Sequence, residues 1–301
     1  MREQTAAALR AAGLDANDIK AAVLRALEED FRYGPDVTSA ATAGPETTVA
    51  GQVVARAGGV VAGLPVALAV ADLATEAGYA GGTIDAVALR ADGDRIGPGD
   101  AVLRVSGPAA AVLGTERTML NFLTHLSGIA SSTRAWVDAV KGTGAAIRDT
   151  RKTTPGLRLL EKYAVRCGGG VNHRMGLGDA ALIKDNHVAA AGGVAKAIAA
   201  VVAHSPEVPL EVECDTLAEV RESLEAGARF ILLDNMSSDE LRVAVAEARS
   251  YPGVRLEASG GLRLQTARAV AETGVDYLAV GALTHSSPAL DLGLDLEGSI
   301  L

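Results

Sequence analysis

One stretch of the chain gathers an unusual number of basic side chains. From position 148 to position 184 there are eight basic residues and three acidic ones, a local charge of +5 that leaves about −14 on the rest of the chain. The basic members are Arg148, Arg151, Lys152, Arg158, Lys162, Arg166, Arg174 and Lys184. Like charges about 6 Å apart repel by about 3 kcal/mol at an effective dielectric constant of about 20, so a converging cluster favours an anionic ligand. The ordinary alternative for a charge run is a solvated basic face.

Two features of this segment favour an anion-binding site over a solvated basic face. Arg151 and Lys152 follow one predicted strand and Lys184 ends another, instead of dotting a helix surface. The glycines at 168–170 come just before Asn172, His173 and Arg174, and such a flexible, donor-rich loop can fold over an anion. The other basic residues, Arg158, Lys162 and Arg166, are expected on a helix surface or behind the ligand contacts.

Acidic and glycine residues at other predicted strand ends supply complementary chemistry. Glu213 and Asp234 each end an apolar strand, where a carboxylate can hold Mg²⁺ or accept hydrogen bonds from ribose hydroxyls. For Asp234 the competing interpretation is a cap of the next helix. The Ser259-Gly260-Gly261 sequence and Gly281 follow the last two strands, and there backbone N–H groups can approach a phosphate.

Several other classes of function are disfavoured. A net charge of −9 and a pI near 5.1 argue against binding to nucleic acid. We expect no membrane association, because no uninterrupted apolar stretch of about 18 residues occurs. No pair of the five histidines has zinc-helix spacing and no serine-hydrolase elbow is present. The two separated cysteines suit a reducing compartment, so we expect a cytoplasmic protein.

The elements that must position these residues follow from the apolar pattern after position 144. Six strand-like runs alternate with helical patterns, which predicts parallel βα units. The runs are at 145–150, 180–185, 209–214, 229–234, 254–259 and 276–281, and the helical patterns that separate the last five are at 189–203, 216–226, 238–249 and 264–273. Because functional-looking residues recur at the carboxyl ends of these runs, we expect an open, roughly six-stranded (β/α) barrel.

The first part of the chain has a different pattern. An amphipathic helix is predicted at 15–29 with Asp15 as its N-cap, and short strands broken by turns are predicted between 47 and 109, with a helix at 65–79. A further helix is predicted at 115–141. The sequence thus predicts an α/β fold with an N-terminal α/β sandwich domain at 1–115, a catalytic barrel domain at 116–286, and a tail at 287–301 that packs on the first domain.

Specific segments resemble one family. They are PDVTS (35–39), TERTMLNFLTHLSGIAS (115–131), the block from DTRKT to KDNH (149–187), EVEC, ILLDN, EASGG and GVDYLAVGALTHS (274–286). The chain is similar over nearly its whole length to nicotinate-nucleotide pyrophosphorylase (carboxylating), also called quinolinate phosphoribosyltransferase. The resemblance implies a small α/β sandwich domain before an open (β/α) barrel. It also implies transfer of a phosphoribosyl group from phosphoribosyl pyrophosphate to quinolinate with decarboxylation, giving nicotinate mononucleotide for NAD biosynthesis.

The resemblance implies roles for particular residues. Around the dicarboxylate and the reacting centre it implies Arg117, Arg151, Lys152, His173, Arg174 and Lys184; toward the ribose and magnesium, Glu213 and Asp234; and around the 5′-phosphate, Ser259, Gly260, Gly261 and Gly281, with His285 nearby. Lys152, Lys184, Glu213 and Asp234 are the expected catalytic residues, and the choice between the two lysines stays open. A homodimer is implied, possibly within a higher oligomer, with Arg117 reaching into the partner's barrel.

Three other interpretations of the function compete with this one. A paralogous transferase of the same fold would act on another anionic acceptor. A catalytically silent phosphosugar-binding domain would be expected to lack one or more of the charged site residues, and none is missing. The turn-rich β pattern at 93–107 resembles a biotinyl or lipoyl carrier, but no lysine occupies a hairpin tip there.

Overall fold

The computed structural model describes residues 1–297. The helices, in chain order, are α1 (Glu3–Ala11), α2 (Ala16–Phe31), α3 (Val37–Thr42), α4 (Leu64–Glu76), α5 (Ala109–Ala139), α6 (Arg158–Cys167), α7 (Asp185–Ala191), α8 (Val194–His204), α9 (Leu217–Glu225), α10 (Ser238–Ala248), α11 (Ala267–Ala271) and α12 (Ala282–His285). The strands are β1 (Thr48–Ala55), β2 (Gly59–Val60), β3 (Asp85–Ala88), β4 (Arg95–Ile96), β5 (Ala101–Pro108), β6 (Ala146–Arg148), β7 (Ala181–Ile183), β8 (Leu210–Cys214), β9 (Phe230–Asp234), β10 (Arg255–Ser259), β11 (Tyr277–Ala279) and β12 (Leu292–Leu296).

The chain forms two compact units. The first unit contains Met1–Ser132, Thr154–Gly169 and the chain from Ser286 onward, and the second contains Thr133–Thr153 and Gly170–His285. These limits differ from the predicted boundaries after 115 and 286. The division falls within the continuous helix α5, and 154–169 returns to the first unit, where Tyr163 hydrogen-bonds Asp92. The end of the predicted tail, 298–301, lies outside the described residues.

The second unit is built on a parallel sheet of six strands in the order β6-β11-β10-β9-β8-β7. All six predicted strands are present, because each is a short apolar run that is buried by the helices between the strands. With β6 and β7 at the two ends of the order, the sheet is open, and the predicted α/β class is confirmed. Parallel pairing brings the carboxyl ends of the strands to the same edge, which is where the predicted site residues lie.

Two predicted helices of the second unit have different limits in the structure. The pattern at 189–203 is interrupted, because Gly192 takes a left-handed conformation with φ 79° that ends α7, and α8 begins only at Val194. The pattern at 264–273 forms a 3₁₀ turn at Leu264–Thr266 that leads into the short helix α11. The helices at 216–226 and 238–249 are confirmed as α9 and α10.

The first unit contains an antiparallel sheet in the order β12-β1-β5-β3, with α4 packed beside α1 and α2. Helix α2 begins as predicted, with the Asp15 side chain accepting hydrogen bonds from the N–H groups of Asn17 and Asp18. Nearly every residue of α4 is buried, because its apolar alanine, valine and leucine side chains surround the helix on all sides. Strand β12 joins the sheet by pairing with β1.

Helix α6 decides between the two positions expected for Lys162. This lysine is one of the largest fully buried side chains, with 1% of its surface exposed, so the helix-surface position is wrong. Arg166, one turn later, is exposed and donates a hydrogen bond to the Ala12 carbonyl. The basic run therefore contains charges that stabilise the fold of the first unit.

Within residues 1–297 no single helix is both long and apolar enough to cross a membrane. Helices α7 and α8 are long and apolar enough only when taken together, and they are bent by 88° relative to each other.

Candidate active site

A cavity of about 210 Å³ opens at the carboxyl ends of the parallel strands of the second unit. Its lining consists of Thr150, Arg151, Lys152, His173, Arg174, Leu182, Lys184, Glu213, Leu232, Asp234, Glu257, Ser259 and Ala279. Eight of the predicted site residues are in this lining, so the structure brings together side chains that are separated by more than a hundred positions in the sequence. The lining combines apolar side chains, Leu182, Leu232 and Ala279, with charged ones.

The cationic wall comes from two loops. Arg151 and Lys152 follow β6, and Arg174 belongs to the loop that precedes β7. The Nε atoms of Arg151 and Arg174 are buried and have no hydrogen-bond partner among the described residues. Burial lowers the pKa of the Arg174 guanidinium, and the Arg151 charge lowers it further. Two guanidinium groups in one cavity lining, close enough for one to lower the pKa of the other, indicate that the cavity binds an anion.

Carboxylates hold the loop that carries Arg174. The buried Asp149 side chain accepts hydrogen bonds from the His173 N–H at 2.8 Å and from Asn172 Nδ2 at 2.6 Å. Asp179 accepts from the N–H groups of Met175 and Gly176 at 2.6 and 2.7 Å. The loop is therefore fixed by hydrogen bonds at both ends before any ligand binds, which reduces the entropy lost on binding.

The acidic wall is formed by Glu213 at the end of β8 and Asp234 at the end of β9. Glu213 Oε2 accepts a hydrogen bond from Lys184 Nζ, and Asp234 Oδ2 accepts one from Asn235 Nδ2 at 2.7 Å. Magnesium favours hard oxygen donors and usually takes one or two carboxylates together with substrate phosphates, so these two side chains fit that ion. Asp215 lies in the same acidic field, since burial and then the Asp234 charge raise its pKa.

The predicted phosphate residues are placed differently from one another. Ser259 lines the cavity, whereas Gly260, Gly261, Gly281 and His285 are not in its lining. A Cβ on Gly260, which has φ +84°, would lie 2.8 Å from the backbone nitrogen of Asn235, so the chain needs glycine there. Gly261 has φ +60° and open space in front of it. A Cβ on Gly281 would lie 3.1 Å from Lys152 Cδ and 3.4 Å from His285 Nε2, so both side chains border this glycine.

Arg117 is the predicted site residue that belongs to the first unit. It is an exposed residue of α5 and is not in the lining of the cavity. Its contribution from a partner subunit stays a prediction.

Three charged residues in or next to the cavity lining were not predicted as site residues, and of these Glu257 lines the cavity. Arg148 ends β6, and Glu211 and Glu257 lie within β8 and β10, with 3% and 0% of their surfaces exposed. Arg148 NH1 lies 2.7 Å from Glu257 Oε2, and His173 Nε2 lies 3.0 Å from Glu211 Oε2. Burial raises the pKa of both glutamates to about 7, and for Glu257 the nearby Glu211 charge adds to the effect.

A signal for these residues was present in the sequence. Side chains alternate between the two faces of a strand, so Glu211 shares a face with Glu213, and Glu257 shares one with Ser259. The two glutamates were missed because a charged residue inside an apolar run carries no sign of which cation or imidazole on another strand or loop will pair with it.

Comparisons with known proteins agree with this geometry. Residues 129–295 match the family model described as quinolinate phosphoribosyl transferase, C-terminal domain, and residues 36–127 match that of its N-terminal domain. The nicotinate-nucleotide pyrophosphorylase (carboxylating) of Mycobacterium leprae is 55% identical over 277 residues, covering 91% of this chain and 95% of that protein. The probable enzyme of the same name from Bacillus subtilis is 41% identical, covering 89% of this chain and 90% of that protein.

Solved structures extend the likeness to the fold. The crystal structure of NadC from Streptococcus pyogenes superimposes with a TM-score of 0.87 at 40% identity, covering 94% of this chain and 97% of that one. Both halves of the family and nearly the whole chain are matched. The chain therefore belongs to the quinolinate phosphoribosyltransferase family.

Proposed function

We propose that this protein transfers the phosphoribosyl group of phosphoribosyl pyrophosphate to quinolinate and releases pyrophosphate and carbon dioxide, giving nicotinate mononucleotide. The observation that carries this proposal is the group of four cationic side chains in the lining of one cavity, Arg151, Lys152, Arg174 and Lys184. Quinolinate brings two adjacent carboxylates on a rigid ring, a shape suited to two converging guanidinium groups.

Acceptor binding is the first role of these residues. Arg151 and Arg174 bind the carboxylates, while Leu182 and Leu232 in the lining provide apolar surface for the pyridine ring. These apolar side chains also exclude water, which strengthens the ion pairs in the cavity. Fixing the ring in this way points its nitrogen lone pair at the anomeric carbon. The reaction is faster because the two reacting atoms are already oriented.

Transfer to the anomeric carbon is the second step. Glu213 and Asp234 accept hydrogen bonds from the ribose hydroxyls and stabilise positive charge that develops on the sugar ring as the bond to pyrophosphate breaks. The pyridine nitrogen then forms the new bond through its lone pair, so this step needs no general base. Ser259 and the N–H groups of Gly260 and Gly261 bind the 5′-phosphate, with Gly281 and His285 nearby.

Decarboxylation follows on the same ring. Once the nitrogen carries the ribose, the pyridinium ring accepts the electron pair that is left when the 2-carboxylate departs as carbon dioxide. That ring carbon then takes up a proton. Lys152 and Lys184, both in the cavity lining, stabilise the negative charge that develops there.

Magnesium is part of the proposal. Glu213 and Asp234 would hold it together with the pyrophosphate, and a bound ion would neutralise the charge of the leaving group. The contact between Glu213 and Lys184 implies that the lysine must share this carboxylate with the ion.

A product assay tests the reaction. The purified protein is incubated with phosphoribosyl pyrophosphate, magnesium and quinolinate labelled in its 2-carboxylate. We expect one labelled carbon dioxide for each nicotinate mononucleotide. Equal activity with nicotinate would contradict the proposed substrate, and binding of phosphoribosyl pyrophosphate without any product would support a silent sensor domain. Turnover of another anionic acceptor alone would indicate the paralogous function.

The proposed homodimer can be tested by mixing two inactive variants. If Arg117 acts in the partner's site, Arg117→Ala and Arg151→Ala subunits that exchange should regain up to about a quarter of wild-type activity, because half of the dimers are mixed and each has one complete site. A mixture as inactive as its components would exclude the shared site. A cytoplasmic location, supported by two free cysteines, is part of the same proposal and can be tested by fractionation.

A further inference from the structure

Four charged or polar side chains form a connected network, in which His173 and Glu257 line the cavity and Arg148 and Glu211 do not. Arg148 NH1 lies 2.7 Å from Glu257 Oε2 and 3.9 Å from Glu211 Oε2, and His173 Nε2 lies 3.0 Å from Glu211 Oε2 and 3.7 Å from Glu257 Oε1. The guanidinium carbon of Arg148 lies 4.9 Å from the ring centre of Phe230 and 5.2 Å from that of Tyr277. Two rings and two carboxylates thus hold Arg148 in one place.

The hydrogen bonds of His173 select one tautomer of its ring. The backbone N–H of Arg174 donates to His173 Nδ1 at 2.7 Å, so Nδ1 must be an acceptor without a proton. The ring proton is then on Nε2, which faces Glu211. This arrangement resembles the carboxylate partners that orient ligand histidines in other sites, where the carboxylate fixes both the tautomer and the plane of the ring.

The network ends at the cavity through the main chain. His173 holds the Arg174 N–H, Arg174 NH1 donates to the Ala180 carbonyl at 3.0 Å, and the Arg174 side chain lines the cavity. A shift of the imidazole would therefore move the peptide that carries one of the two guanidinium groups. Such small displacements of binding groups weaken a site even when every contacting residue is present.

A metal ion is the other occupant that this cluster suggests. The ligand atoms of His173, Glu211 and Glu257 lie within 4.8 Å of one another. The Arg148 guanidinium already neutralises Glu257 at hydrogen-bond distance, and a divalent cation beside it would be repelled. The cluster is therefore better explained as a support for the imidazole.

We propose that Glu211, held in place by Arg148 and Glu257, is a positioning residue that fixes His173 as the Nε2–H tautomer and through it places Arg174 for quinolinate. This inference rests on the proposed function for the identity of the ligand. It assigns to Glu211, Glu257 and Arg148 a role in acceptor affinity without contact between them and the reacting atoms.

The first test separates acceptor affinity from turnover. In Glu211→Leu the acceptor of the imidazole proton is lost, so the KM for quinolinate should rise at least tenfold, while kcat and the KM for phosphoribosyl pyrophosphate change less than threefold. In Glu211→Gln the amide oxygen can still accept from Nε2–H, so most of the affinity should return. Equal loss in both variants, or an unchanged KM in Glu211→Leu, would overturn the proposal.

A matched control comes from the first unit. Asp92→Ala also removes a hydrogen-bonded carboxyl, here a half-buried one, and it should lower stability without raising the KM for quinolinate. If Asp92→Ala raises that KM as much as Glu211→Leu does, the effect is a general loss of folding and the proposal fails.

The second test is measured on the wild-type protein. The ¹⁵N NMR shifts of the His173 ring in the wild-type protein, assigned with His173→Gln, should show a protonated Nε2 and an unprotonated Nδ1. A proton on Nδ1 would overturn the proposal whatever the reaction proves to be. If the wild-type protein does not convert quinolinate but the tautomer is as expected, the proposed function fails and the positioning of Arg174 stands.

Discussion

The two units treat buried polar groups in opposite ways. In the first unit the half-buried Asp92 carboxylate accepts from the N–H groups of Gly63 and Leu64 at 2.8 and 3.0 Å and from Tyr163 Oη at 2.6 Å. In the second unit, within residues 1–297, lie all of the buried side-chain atoms found without a hydrogen-bond partner. They are Thr133 Oγ1, Arg134 Nε, Arg151 Nε, Arg174 Nε, Glu211 Oε1 and Glu257 Oε1.

This contrast shows where the molecule gives up stability. An unpaired buried donor costs about 1 to 3 kcal/mol, so a unit that only has to fold pairs its polar groups completely. The second unit instead leaves two arginine Nε atoms of the cavity-lining residues unpaired. Four of the unpartnered atoms belong to the cavity lining or to the network next to it.

The largest expected effect is on one of the unpaired arginines. Arg151→Ala should lower kcat/KM for quinolinate by about 3 to 4 kcal/mol, or a few hundredfold, because a carboxylate loses its charged partner in a site that excludes water. The free energy of unfolding should hardly change, since Nε has no protein partner to lose. Steady-state kinetics and thermal unfolding measure both. Arg166→Ala, an exposed member of the same basic run, is the matched control and should keep wild-type kinetics.

The next largest effect is on stability and concerns Asp92, the hydrogen-bonded carboxylate of the first unit. Asp92→Ala should lower the free energy of unfolding by about 2 to 3 kcal/mol, because it uncaps α4 and leaves the Tyr163 hydroxyl without its acceptor. Chemical denaturation measures this loss. If Asp92→Ala proved as stable as the wild-type protein, the contrast between the units would lose its basis.

Glu257 gives a pH-dependent test, in which the free energy of unfolding should fall by a comparable amount as the pH rises. Burial raises its pKa from 4.5 in the unfolded chain to about 7. Its protonated form therefore contributes stability that is fully present below pH 4.5 and is lost as the pH rises through about 7. Relative to Glu257→Gln, the wild-type protein should lose about 3 kcal/mol of unfolding free energy over that window, since the pKa differs by about 2.5 units and one unit corresponds to about 1.4 kcal/mol. Parallel pH profiles of the two proteins would show that the carboxyl is already ionised.

The smallest effect compares neighbouring glycines. Both Gly260 and Gly261 have positive φ, so alanine at either position should cost about 1 kcal/mol through backbone strain. Gly260→Ala should cost more, because its Cβ would also collide with Asn235, while Gly261→Ala has open space. Thermal unfolding of the two variants should therefore rank Gly260→Ala as the less stable, and the opposite order would contradict the close approach.

The sequence predicted the parts of the site that follow simple periodic rules. The six strands were visible because each is an apolar run between helical patterns, and Glu213 and Asp234 could be placed at strand ends for the same reason. The break between α7 and α8 could have been predicted from Gly192-Gly193, but the alanine-rich pattern on both sides hid it.

The positions of other residues could not be predicted, because they depend on contacts with residues that are distant in the sequence. Lys162 belongs to the basic run, yet it is fully buried in α6. The number of charges along the chain does not predict this burial. Arg148 belongs to the same run, and its place between Phe230, Tyr277 and Glu257 depends on the order of strands in the sheet. Charge counted along the chain therefore overestimated the number of cations that face the cavity.

Equilibrium binding tests the central claim most directly. The claim is that unpaired arginines make the cavity a dicarboxylate site, so calorimetric titration of the wild-type protein with quinolinate and with nicotinate, which lacks the 2-carboxylate, isolates their contribution. We expect quinolinate to bind at least about tenfold more tightly, since a charge-assisted hydrogen bond contributes about 1.5 to 3 kcal/mol, and we expect this difference to disappear in Arg151→Ala. Equal affinities of the wild-type protein for the two compounds would contradict the claim.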